Sequence, residues 1–313
     1  MLSRVAERLY WMGRYLERVE STARLVSAYT NQILDLPKGV DPGWQQLVGI
    51  NGSNAIFEGH YQNYDERNTV KFLLADEFNP GSIISGLNAA RENVRTTRDV
   101  LPTEAWDHTN ELYLYCREHA ANGVLRKHRF TFLKQVVIRC QQITGLLTGT
   151  MSHDQPCNFV RLGRNLERGD MTTRIVDSAV TLLMPRIEAP APYDSLLWVN
   201  VLKSLSAFQM YRQHVRSRVV GTDVLRYLLQ DLHFPRALGF TLARVESFFH
   251  RLPRAEGPLN LLADLQQQVH DVRLDMLDLD SMHALIDQIQ AELNVLHDQI
   301  STTWFNLETA HQA

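Results

Sequence analysis

Two twelve-residue segments carry the residues best suited to chemistry. Gly13-Arg14-Tyr15-Leu16-Glu17-Arg18 continues through Glu20 to Arg24, and Gly163-Arg164-Asn165-Leu166-Glu167-Arg168 continues through Asp170 to Arg174. At 100° per residue, Arg14, Glu17, Arg18, Glu20, Ser21 and Arg24 share one broad helical face, with Leu16, Val19 and Ala23 opposite. Guanidinium forks bind carboxylate or phosphoryl oxygens bidentately, and carboxylates orient such forks or hold an amine. A plain solvated face would pair Arg14 with Glu17 and Glu20 with Arg24 along one helix. Pairs of that kind are weak and interchangeable, so unrelated drift among Lys, Arg and Gln is expected of them. Here Arg14/Arg164, Glu17/Glu167, Arg18/Arg168 and Arg24/Arg174 agree in type. Gly13 and Gly163 sit mid-helix, where Gly costs roughly 1 kcal/mol against Ala. Together these features favour a buried or interfacial Arg–Glu network, acting as a cement between helices or as a site for an anionic group.

Other chemistries find less support. There is no G-x-x-x-x-G-K-[ST] and no Gly-rich strand–turn–helix, so no ATP site is expected on this chain. No His-Glu-x-x-His and no pair of Glu-x-x-His motifs occurs among twelve His, so no metal site is expected. Glu104/His108 and His283/Asp287 read as ordinary helix-surface pairs. Cys116, Cys140 and Cys157 form no C-x-x-C pair and read as buried reduced thiols. Cys116 and His119 lack the setting that would make a thiolate. Arg126-Lys127-His128-Arg129 and Arg212/Arg216/Arg218 read as helix-end charge. A net charge of -3 argues against a nucleic-acid partner. Five Lys among 32 basic residues suit either a codon bias or a demand for planar forks.

The elements that must position these groups are helices. Hydrophobic residues at 44% and charged residues at 21% are ordinary for a globular chain. Apolar residues from Leu2 to Leu36 recur three and four apart, predicting one long amphipathic helix stopped by Pro37-Lys38-Gly39. Asp41-Pro42 then starts a helix, Asn51-Gly52-Ser53-Asn54 breaks or kinks it, and Asn79-Pro80-Gly81 marks another restart. Thr103 is the expected N-cap of the next helix. Further helices are expected over 103–121, 127–150, 155–184, 193–217, 222–231, 235–252, 257–279 and 281–306, with Ala189-Pro190-Ala191-Pro192-Tyr193 as a linker. No strand is expected. No apolar run approaches a membrane span and the N-terminus lacks an apolar signal region, so a cytoplasmic protein is expected.

The two motifs belong to a longer internal match. Seven of their twelve positions are identical. Trp44 then matches Trp198, Val70–Asp76 matches Leu225–Asp231, and Pro80 matches Pro235, in the same order. Collinear matches of this kind indicate a duplication. The expected architecture is all-α: one domain over 1–313 made of two tandem helical repeats, about 1–150 and 151–313, packed as a duplicated bundle with pseudo-twofold symmetry.

The motif pair, the opening Met1-Leu2-Ser3-Arg4-Val5-Ala6-Glu7-Arg8-Leu9-Tyr10-Trp11-Met12 and the segment Ala90-Arg91-Glu92-Asn93-Val94-Arg95 resemble the bacterial alpha-E family, over essentially the whole chain. Val94 stands where the family has Ala, and Ala243-Arg244-Val245-Glu246 is only a partial second copy of that segment. The resemblance implies a partnership with a circularly permuted ATP-grasp protein, and with transglutaminase-like and Ntn-hydrolase-like neighbours. ATP-grasp enzymes activate a carboxylate as an acyl phosphate and pass it to an amine. The chain is then expected to be a helical accessory or co-catalytic subunit of an amide- or peptide-forming ligase, with ATP and Mg held by the partner. The candidate anion-binding set is Arg14, Glu17, Arg18, Glu20, Arg24, Arg164, Glu167, Arg168, Asp170 and Arg174, with Arg91, Glu92 and Arg95 as secondary candidates. The alternative is a non-catalytic scaffold whose Glu-Arg helices form a repeat interface or a homodimer seam.

Overall fold

The structure, a computed structural model, describes residues 1–35, 43–184, 194–216 and 218–306. Every α element among them is a helix and none is a strand, in the order α1 (Ser3–Asp35), α2 (Trp44–Ile50), α3 (Asn54–Glu58), α4 (Glu66–Leu74), α5 (Ile83–Arg95), α6 (Thr103–Gly123), α7 (Arg126–Thr150), α8 (Gln155–Leu183), α9 (Asp194–Ser204), α10 (Phe208–Val215), α11 (Gly221–Gln230), α12 (Leu238–Phe249), α13 (Glu256–Asp271) and α14 (Leu279–Ile300). A π-helical turn, Ser301–Phe305, extends the last helix.

The two motif helices form the centre. α1 lies along α8 and is flanked by α5, α7 and α9; α8 is flanked by α12 and α14. Leu9, Met12, Leu16, Val19 and Ala23 are buried on one side of α1, and Tyr10, Gly13, Glu17 and Glu20 are buried on the other. The polar face of α1 is not solvated, in keeping with a buried or interfacial Arg–Glu network. α1 is enclosed over most of its girth, because its charged face meets the charged face of α8 instead of water. One hydrophobic cluster runs from Ala6 to Phe305 around this pair.

Local chemistry sets the helix ends. Asp65, Ser82 and Asp278 accept from Asn68 N–H, Ser85 N–H and Ser281 N–H, capping α4, α5 and α14. Thr103 is not a cap: extended Pro102 takes that position, and Thr103 is already helical without a capping bond. The expected helix over 193–217 is two helices. At the end of α9, Ser206 is left-handed (φ 54°), and Ala207 N–H reaches Leu202 O at 2.7 Å while Ser206 N–H reaches Lys203 O at 2.9 Å. This is a Schellman stop built without glycine. Gly52 (φ 65°) closes α2 in the same way, with Ser53 N–H on Val48 O, at the break expected around Asn51–Asn54. The helix over 257–279 stops at Asp271, and Leu274–Met276 forms a 3₁₀ turn. The stop at Pro37–Gly39, the start at Asp41–Pro42 and the linker at Ala189–Tyr193 lie outside the described residues. No helix among the described residues is long and apolar enough to cross a membrane.

Candidate functional site

The α1/α8 crossing is unusually close, and glycine is what permits it. A Cβ on Gly13 would sit 2.2 Å from Val160 O, and one on Gly163 would sit 2.0 Å from Tyr10 O. No backbone gives way at such distances, so each helix needs a glycine where the other's carbonyl passes.

One turn beyond the crossing the motif charges interlock, each carboxylate reaching the opposite helix. Glu167 accepts from Arg14 Nε at 2.7 Å and from the Arg18 fork through Nε and Nη2. Glu17 accepts from Arg164 Nε at 2.9 Å and from the Arg168 fork at 2.9 and 2.7 Å. The Arg14–Glu17 pairing along one helix is not formed. Its partners across the crossing are better aligned, and burial excludes the water that would compete. Glu20–Arg24 and Asp170–Arg174 do pair within their helices, at 2.7 and 2.9 Å. Arg24 Nη1 also donates to Ser206 Oγ at 2.7 Å, bracing the left-handed residue that ends α9.

A further member was not in the candidate set. Arg236, just before α12, is buried and donates to Glu17 Oε1 at 2.7 Å and to Glu20 Oε1 at 2.9 Å. No sequence pattern singles it out, because the internal match pairs it with Gly81. Glu17 thus meets three guanidiniums and Glu167 two.

The electrostatics follow from burial and crowding. Burial pushes the Glu17 carboxyl up, but Arg168, Arg236 and Arg164 together outweigh it and hold it well below the carboxylate range. The same balance, with Arg14 and Arg18, brings Glu167 down to about 2. Arg236 is itself lowered, chiefly by burial, which Glu17 only partly offsets. Across the whole lattice seven guanidiniums face four carboxylates, an excess of three positive charges.

Arg164 and Arg174 are 25% and 30% exposed, and Arg174 lines a cleft of its own. Arg18 is a third opening of this excess: its side chain is 26% exposed, against 10% for Arg14 and Arg168. It lines a cleft of about 660 Å³ between α1 and α5, together with Trp11, Tyr15, Ser85, Glu92 and Tyr113. Arg18 spends Nε and Nη2 on Glu167, and Nη1 forms no bond among the described residues. Glu92, of the Ala90–Arg95 segment, stands on the same cleft and takes the Arg95 fork, with Nε on Oε2 at 3.0 Å. Arg91 points elsewhere: it donates to Asn110 Oδ1 at 2.7 Å and lies over the Trp106 and Tyr113 rings. The structure therefore brings Arg18 and Glu92, from two separate motifs, to one cleft, and leaves Arg91 as packing.

The remaining expectations resolve individually. His283 Nδ1 pairs with Asp177 Oδ1 at 2.9 Å across α14 and α8, not with Asp287. Arg129 is buried and, with Arg126, holds Glu66, so that basic run is largely an ion-pair cluster, not a phosphate patch. The three cysteines are free and buried, and burial pushes the Cys116 thiol far up, away from a thiolate nucleophile.

Comparison with known proteins adds a family. The model of the Alpha-E family, described as a predicted alpha-helical domain with a conserved ER motif, matches residues 1–305. Glu17-Arg18 and Glu167-Arg168 are such pairs here. An uncharacterised protein of Mycobacterium bovis is 23% identical over 96% of this chain, and an uncharacterised protein of Mycobacterium tuberculosis strain H37Rv is 22% identical over 96%. The chain spans 36% of the length of these curated relatives. No solved structure matches it.

Proposed function

This chain belongs to the Alpha-E family, and from that premise we propose that it is a helical accessory or co-catalytic subunit of an ATP-dependent amide- or peptide-forming ligase. It acts with a circularly permuted ATP-grasp protein that holds ATP and Mg. Transglutaminase-like and Ntn-hydrolase-like proteins are its wider partners, and the cytoplasm is its place of action.

The observation that carries this reading is the cleft at Arg18. A positively biased lattice offers one partly free guanidinium to an aromatic-walled opening of about 660 Å³, which the Glu92 carboxylate also lines. That arrangement suits a ligand with a carboxylate at one end and an amine at the other. Arg18 is held on Glu167, so its Nη1 is fixed in place, and preorganised donors favour an anion most when nothing must move to receive it. The length of the relatives also supports a unit that works with other polypeptide, since the matched region is only 36% of each. In the partner's reaction the carboxylate oxygen attacks the γ-phosphorus of ATP and ADP leaves. The amine nitrogen then attacks the acyl carbon, and phosphate leaves as the amide forms.

The lattice itself we read as the seam of a duplication, two repeats over about 1–150 and 151–313 related by a pseudo-twofold axis within one domain. The reciprocal pairing of Arg14 and Arg18 on Glu167, and of Arg164 and Arg168 on Glu17, supports it. So does the size exchange between Gly86 against Val19 and Gly169 against Thr241, positions that the internal match aligns.

The test mixes the purified chain with its ATP-grasp partner and follows amine-dependent ADP release. Ala89→Trp fills the cleft and leaves the lattice untouched. It should lower that rate by roughly tenfold or more, a barrier change of about 1.4 kcal/mol. An unchanged rate with the complex intact would sink the cleft as a site. The scaffold reading draws on a specific observation too, the near-complete use of the motif charges on one another. It gains if a Glu17/Arg168 double-mutant cycle shows coupling in stability while ADP release is unaffected.

A further inference from the structure

We propose that His214, Asp231 and His233 form a binding site for a divalent transition metal ion of the zinc type, outside the Arg–Glu lattice. The residues come from two parts of the chain. His214 is in the last turn of α10, while Asp231 and His233 belong to the loop that follows α11. One donor atom from each lies within 4.8 Å of the other two. Around a tetrahedral zinc, donors at 2.0–2.2 Å from the metal stand about 3.4 Å apart. Both histidines are exposed, so small side-chain rotations close that gap without moving backbone.

The carboxylate is already oriented. Asp231 Oδ1 accepts from His233 N–H at 2.8 Å and from Phe234 N–H at 2.6 Å. These bonds fix the side chain and leave Oδ2 to face a cation, the kind of outer support that metal-binding carboxylates have. The same bonds shape the loop so that the His233 ring comes within 6.3 Å of the His214 ring, centroid to centroid.

The site also has an open side. A cleft of about 480 Å³ is lined by His214, Asp231, Arg226, Tyr227, Gln230 and His270. His270, at the end of α13, brings a third imidazole to that cleft. Gln230 holds this chain end there, donating to Val269 O at 2.9 Å and Val272 O at 3.0 Å. The cation nearest the cleft, Arg226, is engaged with Asp223 at 3.3 Å and Asp275 at 3.9 Å. Two imidazoles and one carboxylate suit zinc, cobalt, nickel or ferrous iron and not the hard cations magnesium or calcium. A bound ion would tie α10, eight residues long, to the loop before α12. The site follows neither a Glu-x-x-His nor a His-Glu-x-x-His pattern, because Asp231-x-His233 is completed by His214 from α10.

Isothermal titration of ZnCl2 into the untagged, chelator-treated full chain tests the proposal, with Co2+ absorption as a second readout. One saturable site is expected, weakened at least tenfold by His214→Ala and by His233→Ala and unchanged by His108→Ala. Asp231→Asn keeps the two loop hydrogen bonds but removes the charge, and should weaken binding in the same way with circular dichroism unaltered. Bound Co2+ should show visible bands that the His233→Ala variant loses. No saturable binding, or equal binding in every variant, would overturn the proposal.

Discussion

Glu17 and Glu167 occupy matching motif positions but carry different loads. Three guanidiniums converge on Glu17 and two on Glu167. Removing one partner of a buried ion pair leaves the others uncompensated, at a cost of about 3–5 kcal/mol. Glu17→Gln should therefore destabilise the fold by about that amount and by more than Glu167→Gln, as read from urea denaturation midpoints. The pH dependence has a definite sign. Both carboxylates are depressed in the folded chain, Glu167 to about 2, while an unfolded Glu titrates near ~4.3. Their stabilisation is thus complete above that value and is lost as pH falls towards about 2, since the unfolded chain binds more protons in that window. Denaturation midpoints should drop steeply there, and Glu167→Gln should flatten the drop. The residue types of this lattice were legible in sequence from their agreement between motifs. Arg236 was not, because its counterpart Gly81 has no charge to match.

At the scale of the element, the crossing of α1 and α8 depends on absent side chains. Gly13→Ala or Gly163→Ala places a methyl group against a backbone carbonyl. Each should cost about 1–3 kcal/mol or more through overpacking. Gly145, inside α7, has nothing within 4 Å of its would-be Cβ. There Gly145→Ala should instead stabilise the chain by up to about 1 kcal/mol. Opposite signs for the same substitution, measured by thermal or urea unfolding, distinguish close approach from helix propensity. The mid-helix glycines were readable as marks of close approach, but not what approached them. Helix ends were read less well. Ser206 stops α9 in a left-handed conformation braced by Arg24, 182 positions away in sequence, and no local pattern contains that contact.

Across the whole molecule, the core runs from Ala6 to Phe305 and the central ion pairs join positions about 150 residues apart. Neither 1–152 nor 153–313 can satisfy its own motif: separately, each leaves Arg and Glu side chains facing partners that are missing. A chain divided between Ser152 and His153, at the exposed turn before α8, should yield halves that do not unfold cooperatively alone. Mixed or co-expressed, they should associate and regain a single unfolding transition, followed by circular dichroism and size exclusion. Halves that each melt cooperatively on their own would show that the lattice is not the tie between them.

The sequence by itself determined the helical class, the two motifs, the glycines and the buried reduced cysteines, because helical period, residue type and composition are local properties. Only the tertiary structure decided which carboxylate meets which arginine. On a helix the motif could have closed on itself through Arg14 and Glu17; α8 instead supplied Arg164 and Arg168 to Glu17, and took Arg14 and Arg18 onto Glu167. That choice made the motif faces an interior, since across a glycine-thin gap each buried carboxylate finds guanidiniums of the opposite helix. It also decided that Arg18, of the motif charges, joins Glu92 at one cleft, a meeting set by the packing of α5 on α1 and written in neither motif.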